Sequence, residues 1–497
     1  MRSSRAIIVI ASVVAILVAT LAFYARNAKE RRLDQLTISF GVFNAFPDPA
    51  DIQFAGEWYF LNHVSSPLLA FDHDKGVFAP LLAESWSINS STYRLVLSPE
   101  ARFSDGTKIT SNDIAATIKL QLVRKTASHF PLWKTIKGGD RLTSVQDDCP
   151  GIRIVDDRTV DVELVDRSES FFLFLSSPES GIWSADDIGA GSKWNGRPKR
   201  YSGAYKVDGE DKDGSYILAA NSYSPIQKAY PSSPARILVK KIGRSAMEDG
   251  VVDGSVDLFI GDFIPHNKYE WDKVSNVKTH NTTPSTIIYF YSLTKNPEKA
   301  IGQDLLQTLW KKVDQEDLFT ANTFLPFSPK NSLPAEDFLP ALPTKSKPKL
   351  KILTFDQYFT DPFLADLKNR AAEAGIDLEF DRAPMSVVGA EYDKPSGMWD
   401  YLLASYVASE RYPAVQLRFI AGPYLADADM RDADRPDHNE ARSTALRAVQ
   451  KKLLTDQRVV PVYFVRTHIV YRDKLDLGNQ PTTDAEIHLW KVTEPSK

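Results

Sequence analysis

Cysteine is almost absent from this sequence. Among 497 residues only Cys149 carries a thiol, so no disulfide can form within one chain. A chain of this length can reach stability without disulfides because its core buries enough apolar surface. A lone cysteine is more often a packed core residue than a catalytic one. We therefore expect a structural role for Cys149 and a fold of two or three domains.

The common catalytic and metal-binding motifs are missing as well. The sequence contains no G-x-S-x-G, P-loop, G-x-G-x-x-G or H-E-x-x-H motif, and its 8 histidines are dispersed. An acid-rich segment runs from Asp427 to Glu440, but the interleaved Arg431 and Arg435 favour a polar surface loop over a metal site. We predict that the protein is not an enzyme and that it uses no cofactor and no metal.

The charge of the chain excludes a further class of function. The net charge is −4, and the first 35 residues carry an excess of Lys and Arg, so the rest is more acidic still. A mildly acidic body gives no general electrostatic attraction for nucleic acid or anionic lipid. We predict that nucleic acid is not a partner.

Residues 6–25 form an apolar segment without any charge, between Arg2 and Arg5 on one side and four basic residues on the other. A signal peptide needs an apolar core of about 7–15 residues, whereas a spanning helix needs about 20. The segment indicates export, to a periplasmic or extracytoplasmic location. No A-x-A cleavage site follows it, so removal as a signal peptide and retention as a tether to the inner membrane both stay open.

The most informative stretch lies between residues 80 and 113. Alternating apolar and polar residues over 93–97 predict a half-buried strand. Asp105 and Gly106 then form a turn, because glycine accepts a positive φ. Thr110 or Ser111 caps the following helix, and Asp113 lies in its first turn, where it interacts favourably with the helix dipole.

This order of elements resembles the signature of the extracytoplasmic solute-binding proteins of peptide and nickel ABC importers, known as family 5 or cluster C. Eight residues fit that signature: Leu82, Ala83, Trp86, Phe103, Asp105, Gly106, Thr110 and Asp113. Weaker matches follow in the family's order at residues 201–207, 254–258, 313–318 and 453–463. The resemblance therefore covers roughly residues 36–470.

The resemblance implies an α/β, bilobed periplasmic-binding-protein fold of type II (Venus-flytrap) with an extra β-rich subdomain. Such a protein captures a peptide-like or other small solute between its lobes and, as a monomer, delivers it to ABC permease subunits. The expected division is a signal peptide or anchor at 1–35, lobe I at 36–58 and 196–280, an inserted β-rich subdomain at 59–195, lobe II at 281–464, and a return to lobe I with the C-terminal tail at 465–497.

The resemblance also implies where a ligand binds. Two expected ligand-binding residues follow the first strand, Phe43 and Asn44, and two follow the strand at 257–260, Gly261 and Asp262. Four more lie in the segment that matches the family's Trp-x-Ala-Asp-Tyr-x-Asp-Pro: Tyr406, Ser409, Glu410 and Arg411. Core packing of Phe43 and a solvated Glu410–Arg411 pair are the alternatives.

One departure from the family concerns Ser409, which replaces the aspartate that pairs with a peptide's amino terminus in the family. A buried ammonium without a carboxylate is costly, so the usual recognition of that terminus is in question. A second hypothesis follows: a degenerate, membrane-anchored family member that acts as a sensor or interaction scaffold without transport.

Overall fold

The structure is a computed structural model. It describes residues 32–41, 46–52, 55–72, 75, 77–125, 132–189, 197–262, 268–294, 301, 303–310, 318–321, 323–326, 328–334, 349–355, 358–407, 413–421, 424–435, 439–456, 458–481 and 486–495.

The strands in chain order are β1 (Gln35–Ser39), β2 (Leu69–Asp72), β3 (Val77–Pro80), β4 (Ala83–Asn89), β5 (Thr92–Leu97), β6 (Ile152–Asp156), β7 (Thr159–Glu163), β8 (Tyr205–Glu210), β9 (Tyr216–Ala220), β10 (Arg236–Lys240), β11 (Leu258–Asp262), β12 (Val277–Asn281), β13 (Thr286–Ser292), β14 (Leu318–Thr320), β15 (Lys349–Phe355), β16 (Asp377–Ala383), β17 (Tyr401–Val407), β18 (Val459–Val465) and β19 (Thr467–Arg472).

The α-helices are α1 (Ala55–Val64), α2 (Ser111–Arg124), α3 (Leu132–Thr135), α4 (Ser170–Ser176), α5 (Pro225–Ala229), α6 (Arg244–Asp253), α7 (Gln303–Trp310), α8 (Asp361–Glu373), α9 (Met385–Asp393), α10 (Pro413–Ala421), α11 (Asp427–Met430) and α12 (Glu440–Thr455). None of the helices in the described ranges combines the length and the apolar character needed to cross a bilayer.

The first lobe is built on a seven-stranded sheet with the order β12-β19-β11-β1-β10-β9-β8. The central strand β1 runs parallel to β10 and β11, and the outer strands pair antiparallel. Leu36 and Ile38 of β1 are fully buried in the core of this lobe. The lobe thus combines chain segments from both ends of the sequence.

The second lobe is built on a six-stranded sheet with the order β14-β18-β13-β17-β15-β16. Strands β13 and β18 are buried along their whole length, as their continuous apolar sequences predict for strands covered on both faces. Strands β15 and β16 are parallel and are joined by α8. Thr360 caps this helix, which ends before Gly375 at φ 78°. An apolar helical pattern between two apolar strand patterns, ended by a glycine that can adopt a positive φ, is typical of such a β–α–β unit.

A β-rich subdomain contains the four-stranded antiparallel sheet β4-β5-β7-β6, which packs on α2. Tyr93, Ile114 and Cys149 are buried in its core. Burial raises the pKa of the Cys149 thiol, so the thiol stays protonated at neutral pH. This environment agrees with a structural role for the only cysteine.

The turn and helix start between residues 103 and 113 have the structure that the sequence predicts. Helix α2 begins after Thr110, whose backbone N–H and hydroxyl both donate to Asp113, each at 2.8 Å. The other carboxylate oxygen of Asp113 accepts the N–H of Ala185 at 2.9 Å. In the turn, Asp105 accepts from Thr107 and pairs with Arg200 at 3.1 Å. Both acids of the signature therefore stabilise the fold.

Helix α1 is held in the first lobe by a buried histidine and a close backbone approach. The Nδ1 atom of His63 lies 2.7 Å from the carbonyl of Tyr59, and its Nε2 accepts the N–H of Leu489 at 3.2 Å. Burial lowers the pKa of His63 to about 4, so the ring is neutral. A Cβ on Gly203 would lie 2.6 Å from the backbone nitrogen of Ser65, which leaves room only for glycine.

The β-rich subdomain also contacts the second lobe through buried polar groups. Arg442 of α12 donates to the Glu169 carboxylate, and both side chains are almost fully buried. The Asp434 carboxylate accepts from the hydroxyl of Ser168 at 2.7 Å and from the N–H of Ser170 at 3.1 Å. Burial raises the pKa of Glu169 to about 7, because the loss of solvent outweighs the attraction of Arg442.

This contact corrects one expectation. A polar surface loop was expected between Asp427 and Glu440, and for Asp434 that prediction is wrong, because its carboxylate is half-buried against the β-rich subdomain. Asp427 does lie at the surface and pairs with the exposed Lys134 at 2.9 Å. The segment therefore joins two parts of the molecule.

Candidate functional site

The two lobes are connected by chain crossings that lie side by side. Residues 282–285 lead from β12 to β13, and Arg466 alone separates β18 from β19. The N–H of Thr282 donates to the carbonyl of Thr467, and the N–H of Thr467 donates back to the Thr282 hydroxyl, both at 3.0 Å. The N–H of Ser285 donates to the carbonyl of Val465 at 3.1 Å. The strands thus remain hydrogen-bonded across most of the junction.

One end of the six-stranded sheet meets this junction and presents a row of aromatic residues. Phe319, Phe464 and Tyr406 share a row with Ile287, because each is paired in register with its neighbour across β14, β18, β13 and β17. Paired residues project from the same face of a sheet. The half-buried ring of Tyr406 stacks on Phe419 of α10, with ring centroids 4.2 Å apart.

The seven-stranded sheet contributes strand ends from the other side of the junction. Gly261 and Asp262 end β11 and pair with His468 and Thr467, the first residues of β19. Strand β1 runs parallel to β11 with Ser39 opposite Phe259, so the chain beyond β1 leaves the sheet at this same end. In this way the carboxyl ends of two first-lobe strands lie beside the crossing to the second lobe.

Three of the eight predicted ligand residues lie at the junction. On the first lobe these are Gly261 and the backbone of Asp262, at the end of β11. On the second lobe it is Tyr406, near the end of β17. The remaining predicted residues lie outside the described residues: Phe43, Asn44, Ser409, Glu410 and Arg411. Contact of any of these eight residues with a ligand stays a prediction.

Sequence reasoning missed the charged residue at the crossing. The guanidinium of Arg466 lies over the ring of Phe319, 4.9 Å from its centroid. The signal in the sequence is a cation directly after the apolar strand Val459–Val465 and directly before the strand Thr467–Arg472. Phe419 was also missed, since only the fold brings α10 beside β17.

The chemistry of the junction favours binding. Over the described ranges no group of three or more His, Cys, Asp or Glu side chains is arranged to hold a metal ion. The arrangement offers aromatic faces, strand ends and one guanidinium, which are groups that hold a small molecule.

Comparison of folds gives close structural relatives at low sequence identity. NikA from Brucella suis, in complex with Fe(III)-EDTA, matches with a TM-score of 0.74 at 17% identity, over 93% of this chain and 100% of that one. OppA from Haemophilus influenzae, in complex with the peptide RPPGFSPFR, matches with a TM-score of 0.73 at 13% identity, over 94% and 100%. DppA from Helicobacter pylori, in complex with the peptide STSA, matches with a TM-score of 0.71 at 17% identity, over 94% and 99%.

At such identities the three structures show a shared bilobed fold, and they do not by themselves transfer a ligand. Comparison with curated protein sequences gave no match. Residues 77–402 match the family described as "Bacterial extracellular solute-binding proteins, family 5 Middle", whose members are binding proteins and not enzymes. That match spans more than half of the sequence and includes the signature around Asp105 and Asp113. The chain therefore belongs to the family 5 bacterial extracellular solute-binding proteins.

Proposed function

We propose that the protein captures a small solute between its two lobes and delivers it to an ABC importer. The double crossing at Thr282 and Arg466 supports this proposal most directly, because two short adjacent connections allow the lobes to rotate about a defined line. Residues on both sides of that line can contact one ligand together only when the lobes are closed. A ligand then shifts the population toward the closed form by its difference in affinity for the two forms.

The ligand class that we propose is peptide-like or another small solute. The relatives from Haemophilus influenzae and Helicobacter pylori bind peptides, and the relative from Brucella suis binds Fe(III)-EDTA. In this chain, the Tyr406–Phe419 stack would supply an apolar wall, and the strand end at Gly261 would supply backbone hydrogen-bonding groups. The other predicted ligand residues belong to the same proposed site.

The division of the chain that we propose follows the family pattern. Residues 36–58 and 196–280 would form lobe I with the return at 465–497, residues 59–195 the inserted subdomain, and residues 281–464 lobe II. Residues 6–25 would direct the chain to an extracytoplasmic location, as a signal peptide or as a tether. The full protein would act as a monomer, with permease subunits in the membrane as its partners.

Native mass spectrometry of the full protein, purified without denaturation from the cells that express it, tests the proposal. A discrete added mass that is lost on unfolding would identify a bound solute and its class. A protein that carries no added mass and binds neither a short-peptide mixture nor a metal chelate would favour the anchored sensor or scaffold instead. Cell fractionation with an N-terminal sequence determination would separate a cleaved signal peptide from a retained tether.

A further inference from the structure

Arg466 carries a charge that no protein group neutralises in the described part of the chain. The residue is half-buried, and its Nε atom is buried without a hydrogen-bond partner. Arginine stays protonated in proteins and presents five N–H donors in a planar fork. Buried donors without an acceptor cost free energy, and they are rare in folded proteins. The missing acceptor therefore requires an explanation.

The position of Arg466 is fixed by its surroundings. The residue is the single link between β18 and β19, so its backbone is held by paired strands on both sides. The guanidinium carbon lies over the ring of Phe319, 4.9 Å from its centroid. This cation–π contact does not replace a hydrogen-bond acceptor for the N–H groups. The side chain is thus held in place without its hydrogen-bonding capacity being used.

A second polar group lies opposite. Ile287 pairs with Phe464, so continuing this register by two residues places Ser285 across from Arg466. The Ser285 hydroxyl is buried and has no hydrogen-bond partner among the described residues. Buried polar atoms without a partner also occur elsewhere in the described residues, for example at Trp271 and Arg472. Arg466 and Ser285 differ in that both lie at the junction where the lobes meet.

We propose that Arg466 binds an oxyanion group of the ligand, most directly a carboxylate. The guanidinium fork matches the two oxygens of a carboxylate and forms charge-assisted hydrogen bonds with them. Tyr406 lies on the same sheet face and at the same strand ends, so one ligand can contact both residues. This inference rests on the proposed function, and it adds that the solute is anionic at the end that contacts Arg466.

Isothermal titration calorimetry on the full protein tests the assignment with three probes: a mixture of tri- to pentapeptides with free carboxyl termini, the same mixture as C-terminal amides, and Fe(III)-EDTA. The unmodified protein should bind the free acids, or the chelate, and it should prefer the acids over the amides about ten- to hundredfold. Arg466→Met should remove that preference, or weaken chelate binding by the same factor.

Two further variants complete the test. Arg466→Gln replaces the charged side chain by a neutral polar one. Its binding to the three probes tests the role of Arg466 if circular dichroism shows that the Met variant does not fold. Arg236→Met is the matched control, because Arg236 is exposed, pairs with Asp208 and starts β10 at the opposite end of the seven-stranded sheet. This control should bind every probe like the unmodified protein.

The outcomes separate the two proposals. Equal binding of acids and amides, or undiminished binding by the Met and Gln variants, would overturn the role of Arg466 and leave solute capture intact. Failure of the unmodified protein to bind any of the three probes would overturn the role of Arg466, and it would overturn solute capture as well if native mass spectrometry also finds no bound solute. Preference for the acids would point to a peptide carboxylate, whereas binding of Fe(III)-EDTA alone would point to a chelator carboxylate.

Discussion

Replacing Arg442 by methionine should destabilise the protein in a pH-dependent way. The guanidinium is buried against Glu169 and also donates from its Nε to the carbonyl of Ala433 at 3.2 Å. Removing one partner of a buried ion pair costs about 3–5 kcal/mol because a charge is left without compensation. Glu169 can limit this cost by taking up a proton, since burial already raises the pKa of its carboxyl to about 7.

The sign of the pH dependence follows from that raised pKa. Between pH 4.5, the ordinary carboxyl pKa, and about 7, the folded protein holds a proton on Glu169 that the unfolded chain has released. The contribution of Glu169 to stability is therefore fully present below pH 4.5 and is lost as the pH rises through 7. At pH 8 the carboxylate is charged and needs Arg442, whereas at pH 5.5 it is neutral with or without the guanidinium.

We therefore expect Arg442→Met to lower the free energy of unfolding by about 3 kcal/mol at pH 8. At pH 5.5 Glu169 is neutral, so the loss is limited to the hydrogen bonds that Arg442 donates to Glu169 and Ala433, about 1 kcal/mol in total. Urea unfolding followed by tryptophan fluorescence at both pH values measures the two losses. Lys134→Ala is the control: its exposed pair with Asp427 joins the same two parts and should contribute about 0–1 kcal/mol at either pH. Equal losses for Arg442→Met at both pH values would refute the reasoning.

Three further predictions concern groups that hold the fold. His63→Gln should make the free energy of unfolding less dependent on acid pH. The contribution of the buried neutral ring is fully present above pH 6.5 and falls by about 3 kcal/mol as the pH drops to 4. Urea titrations across this range would show a constant difference between the two proteins if His63 did not titrate. Asp113→Ala should lower the free energy of unfolding by about 2–4 kcal/mol, since it removes a helix cap and leaves the N–H of Ala185 without an acceptor. Asp105→Ala, at an exposed turn, should lower it by less. Equal thermal midpoints for the two variants would contradict this. Gly203→Ala should lower the melting temperature by several degrees or abolish folding, because the new Cβ meets the α1 backbone; an unchanged melting curve would mean that the helix can move aside.

The parts of the fold that were predicted from the sequence are those specified by neighbouring residues. The turn at Asp105, the cap at Thr110 and the glycine at Gly375 each act within a few residues, so the local pattern predicts the structure. The resemblance then supplied the bilobed arrangement, which periodicity alone could not have given. The continuous apolar sequences of β13 and β18 agree with their burial along the whole strand, although no prediction was made for them.

The parts that were missed depend on contacts between distant segments. Glu169 and Arg442 are 273 positions apart, and nothing near either residue indicates that the other will neutralise it. The same reason explains the wrong interpretation of Asp434 as a surface acid. Tyr406 was predicted at the site only through the family pattern, whereas Arg466, which that pattern did not mark, needed the fold to bring Phe319 beside it.

Insertions and deletions should be tolerated very unequally along this chain. Successive side chains of a strand point to opposite faces, and a single residue separates β18 from β19. Ile469 and Val470, both fully buried, belong to two different hydrophobic clusters of the first lobe. One inserted residue at position 466 would exchange the surroundings of these two side chains and of every residue after them in β19. Across homologous chains, the number of residues in this crossing should therefore vary less than their chemical nature.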